Sequence, residues 1–270
     1  MITNSKLGII GVGNMGGAIL QGVLAGGMPA SQISIFDTNE DMLSRQAQAY
    51  GVHSAPSAAE LAKHCDIVII AVKPYGVASL LRDLASSAAD TRTIYVSVAA
   101  GVTIADMEGA LGSGAIAVRT MPNTPAAVGE AMTAVCAGAN VSAQDLELVR
   151  EVLGLFGKTV VLGEHLLEAA TGISGCAPAY VYLFIEALAD AGVMHGLSRA
   201  DAYTFAAQAV LGAGKMVLES GRHPGALKDA VCSPGGPTIT AIAALERSGF
   251  RGAVINAVDA AVDKAVRMKG

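Results

Sequence analysis

A short apolar run (Leu7, Gly8, Ile9, Ile10) leads straight into Gly11-Val12-Gly13-Asn14-Met15-Gly16, and a helical pattern of Ala18, Ile19, Leu20, Val23 and Leu24 follows. Few arrangements restrict a fold so tightly. Strand, glycine-rich turn and helix, in that order, form the opening of a nucleotide-binding βαβ unit. The first glycine permits the sharp turn, the second lets a pyrophosphate approach the backbone, and the third lets the helix lie close on its strand. The start of such a helix offers unpaired N–H groups and a partial positive charge to phosphate. With 32 glycines in the chain, a glycine-rich turn alone proves little. The competing reading is a tight turn without ligand, and the flanking strand and helix weigh against it.

The next 110 or so residues repeat the theme. A second strand over 33–36 ends at Asp37. An acid about 20 positions past the glycine loop accepts hydrogen bonds from ribose hydroxyls and favours NADH. Thr38 and Asn39 are small neutral donors that suit a 2′-phosphate if Asp37 turns away, and Asp37 as N-cap of a helix over 39–49 is a third reading. The choice between NADPH and NADH stays open. Apolar runs over 67–72, 93–98 and 116–119 alternate with helical patterns over 57–63, 76–86 and 103–110. That alternation predicts a doubly wound, mostly parallel sheet, which the runs 131–137 and 159–162 extend around a helix over 142–155. Ligands of such sheets bind beyond the carboxyl ends of the strands. Val72, Lys73 and Pro74, then Ala99, Ala100 and Gly101, then Asn123 all fall at that edge and are expected to line one crevice with residues 11–16. Small side chains there leave room for a flat nicotinamide, and Asn123 offers polar contacts.

From Gly163 onward the pattern is helical throughout, over 164–173, 176–194, 199–219, 225–231, 238–247 and 251–268, which divides the chain into domains 1–162 and 163–270. The chain is 52% hydrophobic and only 15% charged. A helical half with so little polar surface predicts helix-on-helix pairing between two subunits. A net charge of −5 with no basic run argues against nucleic acid. The apolar stretch 177–194 is broken by Pro178, Glu186 and Asp190, so it reads as a buried helix and not a membrane span. The first strand begins right after Lys6, which leaves no room for a signal peptide. Cys65, Cys136, Cys176 and Cys232 are widely spaced, as in a reduced cytoplasmic protein, and the five histidines lack metal-ligand spacing, so no metal is expected.

Two stretches of the helical half carry chemistry. Residues 172–180 put Gly172, Ser174, Gly175 and Pro178 inside a helical region and predict a kink that frees backbone groups. Residues 227–240 end one helix, turn through Ser233-Pro234-Gly235-Gly236, and begin another at Thr238. Such a turn is a nest of N–H groups suited to a carboxylate, with the Ser233 and Thr238 hydroxyls as further donors.

With these motifs together, the chain resembles the pyrroline-5-carboxylate reductase family. The resemblance is carried by residues 11–16, Ala71-Val72-Lys73-Pro74, Ala99-Ala100-Gly101-Val102, Met121-Pro122-Asn123-Thr124-Pro125, residues 174–180, and His223-Pro224-Gly225-Ala226-Leu227-Lys228-Asp229 with Ser233-Pro234-Gly235-Gly236-Pro237-Thr238. It implies a Rossmann domain followed by an all-α dimerisation domain, dimers often assembling further into decamers, and NADPH or NADH as hydride donor to the C=N bond of 1-pyrroline-5-carboxylate. It also implies cofactor contacts at 11–16, 72–74 and 99–101, and substrate contacts at Ser233, Gly235, Gly236 and Thr238. The chain departs from the family pattern at Pro237, where Thr or Ala is usual, at Cys176-Ala177, and at Ala58 and Ala230. Two alternatives remain at this point. One is a 3-hydroxyacid dehydrogenase-like reductase with Lys215 or Lys228 as acid; the other is a non-catalytic NAD(P)-binding regulator.

Overall fold

The computed structural model describes residues 5–87 and 92–268; residues 1–4, on which the signal-peptide expectation partly rests, lie outside these. Eight strands form one sheet: β1 (Leu7–Ile10), β2 (Ile33–Phe36), β3 (His53–Ser54), β4 (Ile67–Ile70), β5 (Ile94–Ser97), β6 (Ile116–Met121), β7 (Ala131–Ala137) and β8 (Gly157–Val161). Their order is β3-β2-β1-β4-β5-β6-β7-β8. Every neighbouring pair is parallel except β6 with β7. The centre is the doubly wound arrangement, with Leu7 of β1 level with Ile33 and Ile67 on either side.

The unbroken apolar runs have a direct cause. Ile9 and Ile69 belong to one buried cluster, with Ile19 and Phe156, whereas Ile10 and Ile70 belong to another, with Leu81 and Met107. Successive side chains point to opposite faces of the sheet and both faces are covered, so neither position can be polar. The helices that cover the faces are α1 (Asn14–Ala25), α2 (Glu40–Tyr50), α3 (Ala58–His64), α4 (Pro74–Ser87), α5 (Ile104–Leu111) and α6 (Ala143–Gly154). Ser57, Thr103 and Ser142 cap three of them, the last two in reciprocal capping boxes with Asp106 and Asp145. Strand β3 was not anticipated. It is two residues long with both side chains exposed, so it leaves no apolar signature.

Beyond Val161 the described chain is helical: a 3₁₀ turn at Glu164–Leu166, then α7 (Leu167–Ala170), a π-helical turn at Thr171–Gly175, α8 (Ala177–Met194), α9 (Arg199–Ser220), α10 (Pro224–Ala230), α11 (Pro237–Arg247) and α12 (Phe250–Arg267). The kink expected around 172–180 is this π turn, in which Cys176 N donates to the Thr171 carbonyl five residues back at 2.9 Å. Pro178 does not break the helix, because it sits in the first turn of α8, where its missing N–H is no loss.

The chain divides into two compact units, one running to Cys176 and taking back the residues from Ala261, the other Ala177–Ala260. In the second unit α8 runs alongside α9, with Ala202 closing on Gly192 and Arg199 bonded to Asp190 at 2.6 Å. Its apolar surface is largely uncovered: Leu183, Phe205, Leu211, Leu218 and Ile255 are all exposed. The expectation that α8 is buried fails within one chain, since Ala189 is its one buried residue. By length and composition alone, Glu164–Met194 is apolar enough to cross a membrane.

Candidate active site

Gly11 holds a positive φ of 91° at the end of β1, with its N–H on the Phe36 carbonyl at 2.8 Å. A Cβ there would stand 2.8 Å from the Ala71 carbonyl oxygen, and one on Gly16 would run into the carbonyl of Gly11. Glycine is required at both places. Gly13 is the N-cap of α1 and no side chain caps that helix. Nothing lies within 4 Å of where a Gly13 side chain would begin. The first-turn N–H groups of α1 are thus left uncapped by any side chain and the backbone at Gly13 is open to approach, which is what a pyrophosphate needs.

Asp37 follows β2 and reaches back to this loop. Its Oδ2 accepts from Val12 N at 2.8 Å and its Oδ1 from Asn39 N at 2.9 Å. Asp37 therefore caps no helix. The N-cap of α2 is Asn39, whose Oδ1 accepts from Met42 N at 3.0 Å. Thr38 is exposed beside it.

The other edge loops lie where the sheet order puts them. Ala71 N bonds to the Ile10 carbonyl at 2.8 Å, which carries Val72, Lys73 and Pro74 outward from β4 next to the glycine loop. Lys73 is exposed, and its ammonium forms no ion pair among the described residues. Ala99, Ala100 and Gly101 leave β5, and Ala100, Gly101, Met121 and Thr171 line a cavity of about 270 Å³ with Lys264 of α12. Asn123 is buried, with both ends of its amide engaged inside the chain. Its Oδ1 accepts from Met132 N at 2.9 Å and its Nδ2 donates to the Ser174 carbonyl at 3.0 Å. The Ser174 hydroxyl donates to the Ala170 carbonyl at 2.8 Å.

Two features at this edge escaped the sequence reading. Tyr75, 90% exposed, stands on the first turn of α4 beside Lys73 and Pro74. Arg119 of β6, 1% exposed, donates to Glu164 at 2.9 Å and Glu168 at 3.0 Å. Glu164 also accepts from Ile104 N at the head of α5 at 2.9 Å.

In the second unit, Gly236 N donates to the Ser233 carbonyl at 3.0 Å, closing a turn in which Pro234 sets the bend and Gly235 takes a φ of 68°. Gly236 is the N-cap of α11, again with no side-chain cap, and Pro237 occupies its first position. Pro237 removes one donor, but only one that a helix start leaves unpaired anyway. The Thr238 hydroxyl has no intramolecular partner among the described residues, and the Ser233 hydroxyl sits over Gly236, where a Cβ would strike it.

Residues 6–101 match a family model described as NADP oxidoreductase, coenzyme F420-dependent, and residues 164–268 one described as pyrroline-5-carboxylate reductase dimerisation. The pyrroline-5-carboxylate reductase of Escherichia coli (strain K12) is 46% identical over 264 residues, which is 97% of this chain and 98% of that one. The chain belongs to the pyrroline-5-carboxylate reductase family. Two solved members of pyrroline-5-carboxylate reductase kind agree in fold. The Plasmodium falciparum protein, with NADP bound, is 35% identical at a TM-score of 0.87, covering 99% of each chain. The Coxiella burnetii protein is 32% identical at a TM-score of 0.91, covering 98% of this chain and 99% of that one. For a pyrroline-5-carboxylate reductase, the lysines of the dehydrogenase alternative are unremarkable surface groups: Lys215 lies 3.5 Å from Glu219 and Lys228 2.7 Å from Asp229.

Proposed function

We propose that this chain reduces the C=N bond of 1-pyrroline-5-carboxylate to L-proline, the last step of proline biosynthesis, with NADPH or NADH. The observation that carries this reading is the Ser-Pro-Gly-Gly-Pro-Thr turn heading an α11 whose N-terminal N–H groups no side chain caps. Those groups and the Ser233 hydroxyl suit the substrate carboxylate, with Gly235, Gly236 and Pro237 giving the turn its shape. Residues 11–16 cradle the pyrophosphate, residues 37–39 the adenosine ribose, and Val72, Lys73, Pro74, Ala99, Ala100, Gly101 and Asn123 the remainder of the dinucleotide crevice. Asn123 does so chiefly by fixing its loop, and Ser174, at the π turn that the Asn123 amide holds, belongs with the substrate contacts. A reduced nicotinamide dinucleotide supplies the hydride. The protonated imine is already electrophilic, so the protein has to orient it, and in this reading the Thr238 hydroxyl accepts from the ring N–H.

Domain 1–162 thus serves the cofactor and domain 163–270 the substrate and the pairing with a second copy, in dimers that can build decamers, in the cytoplasm. Neither nucleic acid nor membrane has a role in this reading. The test is absorbance at 340 nm with pyrroline-5-carboxylate and each cofactor. Oxidation that yields proline is expected. Cofactor binding with no oxidation of any cyclic imine would overturn the proposal and leave a non-catalytic regulator.

A further inference from the structure

Family membership leaves the choice of hydride donor open, and the surroundings of Asp37 bear on it. Its carboxylate is held from two sides, by Val12 N at 2.8 Å and Asn39 N at 2.9 Å, each bond made to a different oxygen. Every carboxylate oxygen can accept more than one hydrogen bond, so both retain a lone pair for a ribose hydroxyl. Turning the side chain aside would break both bonds, at the greater cost for the part-buried Val12 N, since the exposed Asn39 N can turn to water. The anion therefore stays beside the glycine loop.

A 2′-phosphate brought to the same place is a second anion with a charge near −2 and no proton to donate. It would need a cation. Arg45, one turn into α2, sends only its Nε to the Asp41 carbonyl at 3.2 Å; its exposed amino groups stay uncommitted, and no bond among the described residues ties it to Asp37. Lys63 of the neighbouring α3 is taken up by Glu60 at 2.7 Å. No ion pair among the described residues brings a Lys or Arg to Asp37. The Asn39 side-chain oxygen caps α2, so the Thr38 hydroxyl and the Asn39 amide N–H groups are the neutral donors left in the segment.

We propose that Asp37 is the specificity-determining residue for the cofactor, and that this chain takes NADH in preference to NADPH by accepting the ribose hydroxyls and repelling the 2′-phosphate. This rests on the glycine loop as the dinucleotide site but not on the identity of the imine. The Plasmodium falciparum relative was solved with NADP bound, so the shared fold admits the phosphate, and what disfavours it here is local.

The experiment is a nicotinamide-fluorescence titration with NADH and NADPH in the absence of imine, followed by kcat/KM for each with pyrroline-5-carboxylate. The native chain is expected to favour NADH by about tenfold or more, the size of one uncompensated charge contact at partial burial. Asp37→Ser should narrow or reverse that ratio by tightening NADPH, not merely by weakening NADH. Asp37→Asn removes the charge while keeping an acceptor for Val12 N, so it reports on discrimination even if the serine variant fails to fold. Equal affinities, a native preference for NADPH, or variants that weaken both cofactors alike would overturn the assignment. A protein that binds NADH tightly yet reduces no imine would sink the proposed reaction and leave this inference standing.

Discussion

Arg119 carries a full charge at 1% exposure, and its balance comes from Glu168, almost as deeply buried, and from the half-exposed Glu164. Removing the arginine would strand carboxylates in a poorly hydrated place, so Arg119→Ala should lower the unfolding free energy by about 3 kcal/mol, measured by urea denaturation. Nothing near Arg119 in the chain announces this. Its partners lie 45 and 49 positions away, and a charged residue at the end of an apolar run looks like a strand meeting solvent. Other residue-scale features have a local cause. Thr103 and Ser142 stand three positions before an acid at the head of an apolar helix. Bonds from the Thr103 hydroxyl and N–H hold the Asp106 carboxyl below its ordinary pKa. Burial works to raise that of Asp145, but bonds from Ser142 and Arg92 outweigh it and leave it lowered. Because both folded values are depressed, the stability they contribute is present above the unfolded value of about 3.9 and is lost as pH falls through the folded ones. Stability should therefore drop below about pH 4, and a Ser142→Ala, Thr103→Ala double variant should show a shallower acid limb in thermal melts.

At the scale of elements, α11 shows how a helix start becomes a binding group when the sequence withholds a cap. The turn before it could be read from the chain, since Pro presets the second position of a turn and Gly tolerates the left-handed third, as Gly235 does at a φ of 68°. Thr238→Ala should cut kcat/KM for the imine about tenfold or more, the worth of one hydrogen bond to a charged group, with the affinity for NADH unchanged in the fluorescence titration. Gly236→Ala should raise KM for the imine, because the new Cβ displaces the Ser233 hydroxyl. The central strands were equally readable, their apolar runs being dictated by two covered faces. The state of α8 was not. Its composition fits a buried helix, and composition cannot say whether the cover comes from the same chain.

For the molecule as a whole, that cover is the open account. Apolar side chains on α8, α9 and α12 stand uncovered in a single chain, Leu183 at 69% and Leu218 at 67%, and large exposed apolar patches mark interaction surfaces. Pairing with a second copy, as proposed, predicts a melting temperature that climbs with protein concentration, as calorimetry over a hundredfold dilution series would reveal. A melting temperature independent of concentration, together with a monomer mass by light scattering, would contradict it. The exposed face of these helices also carries a consequence for gene dosage. Where assembly is bimolecular, halving the supply of chain lowers the paired form by more than half at the dilute end. A lesion confined to those helices would then behave as a shortage of protein, leaving the chemistry of each surviving pair intact.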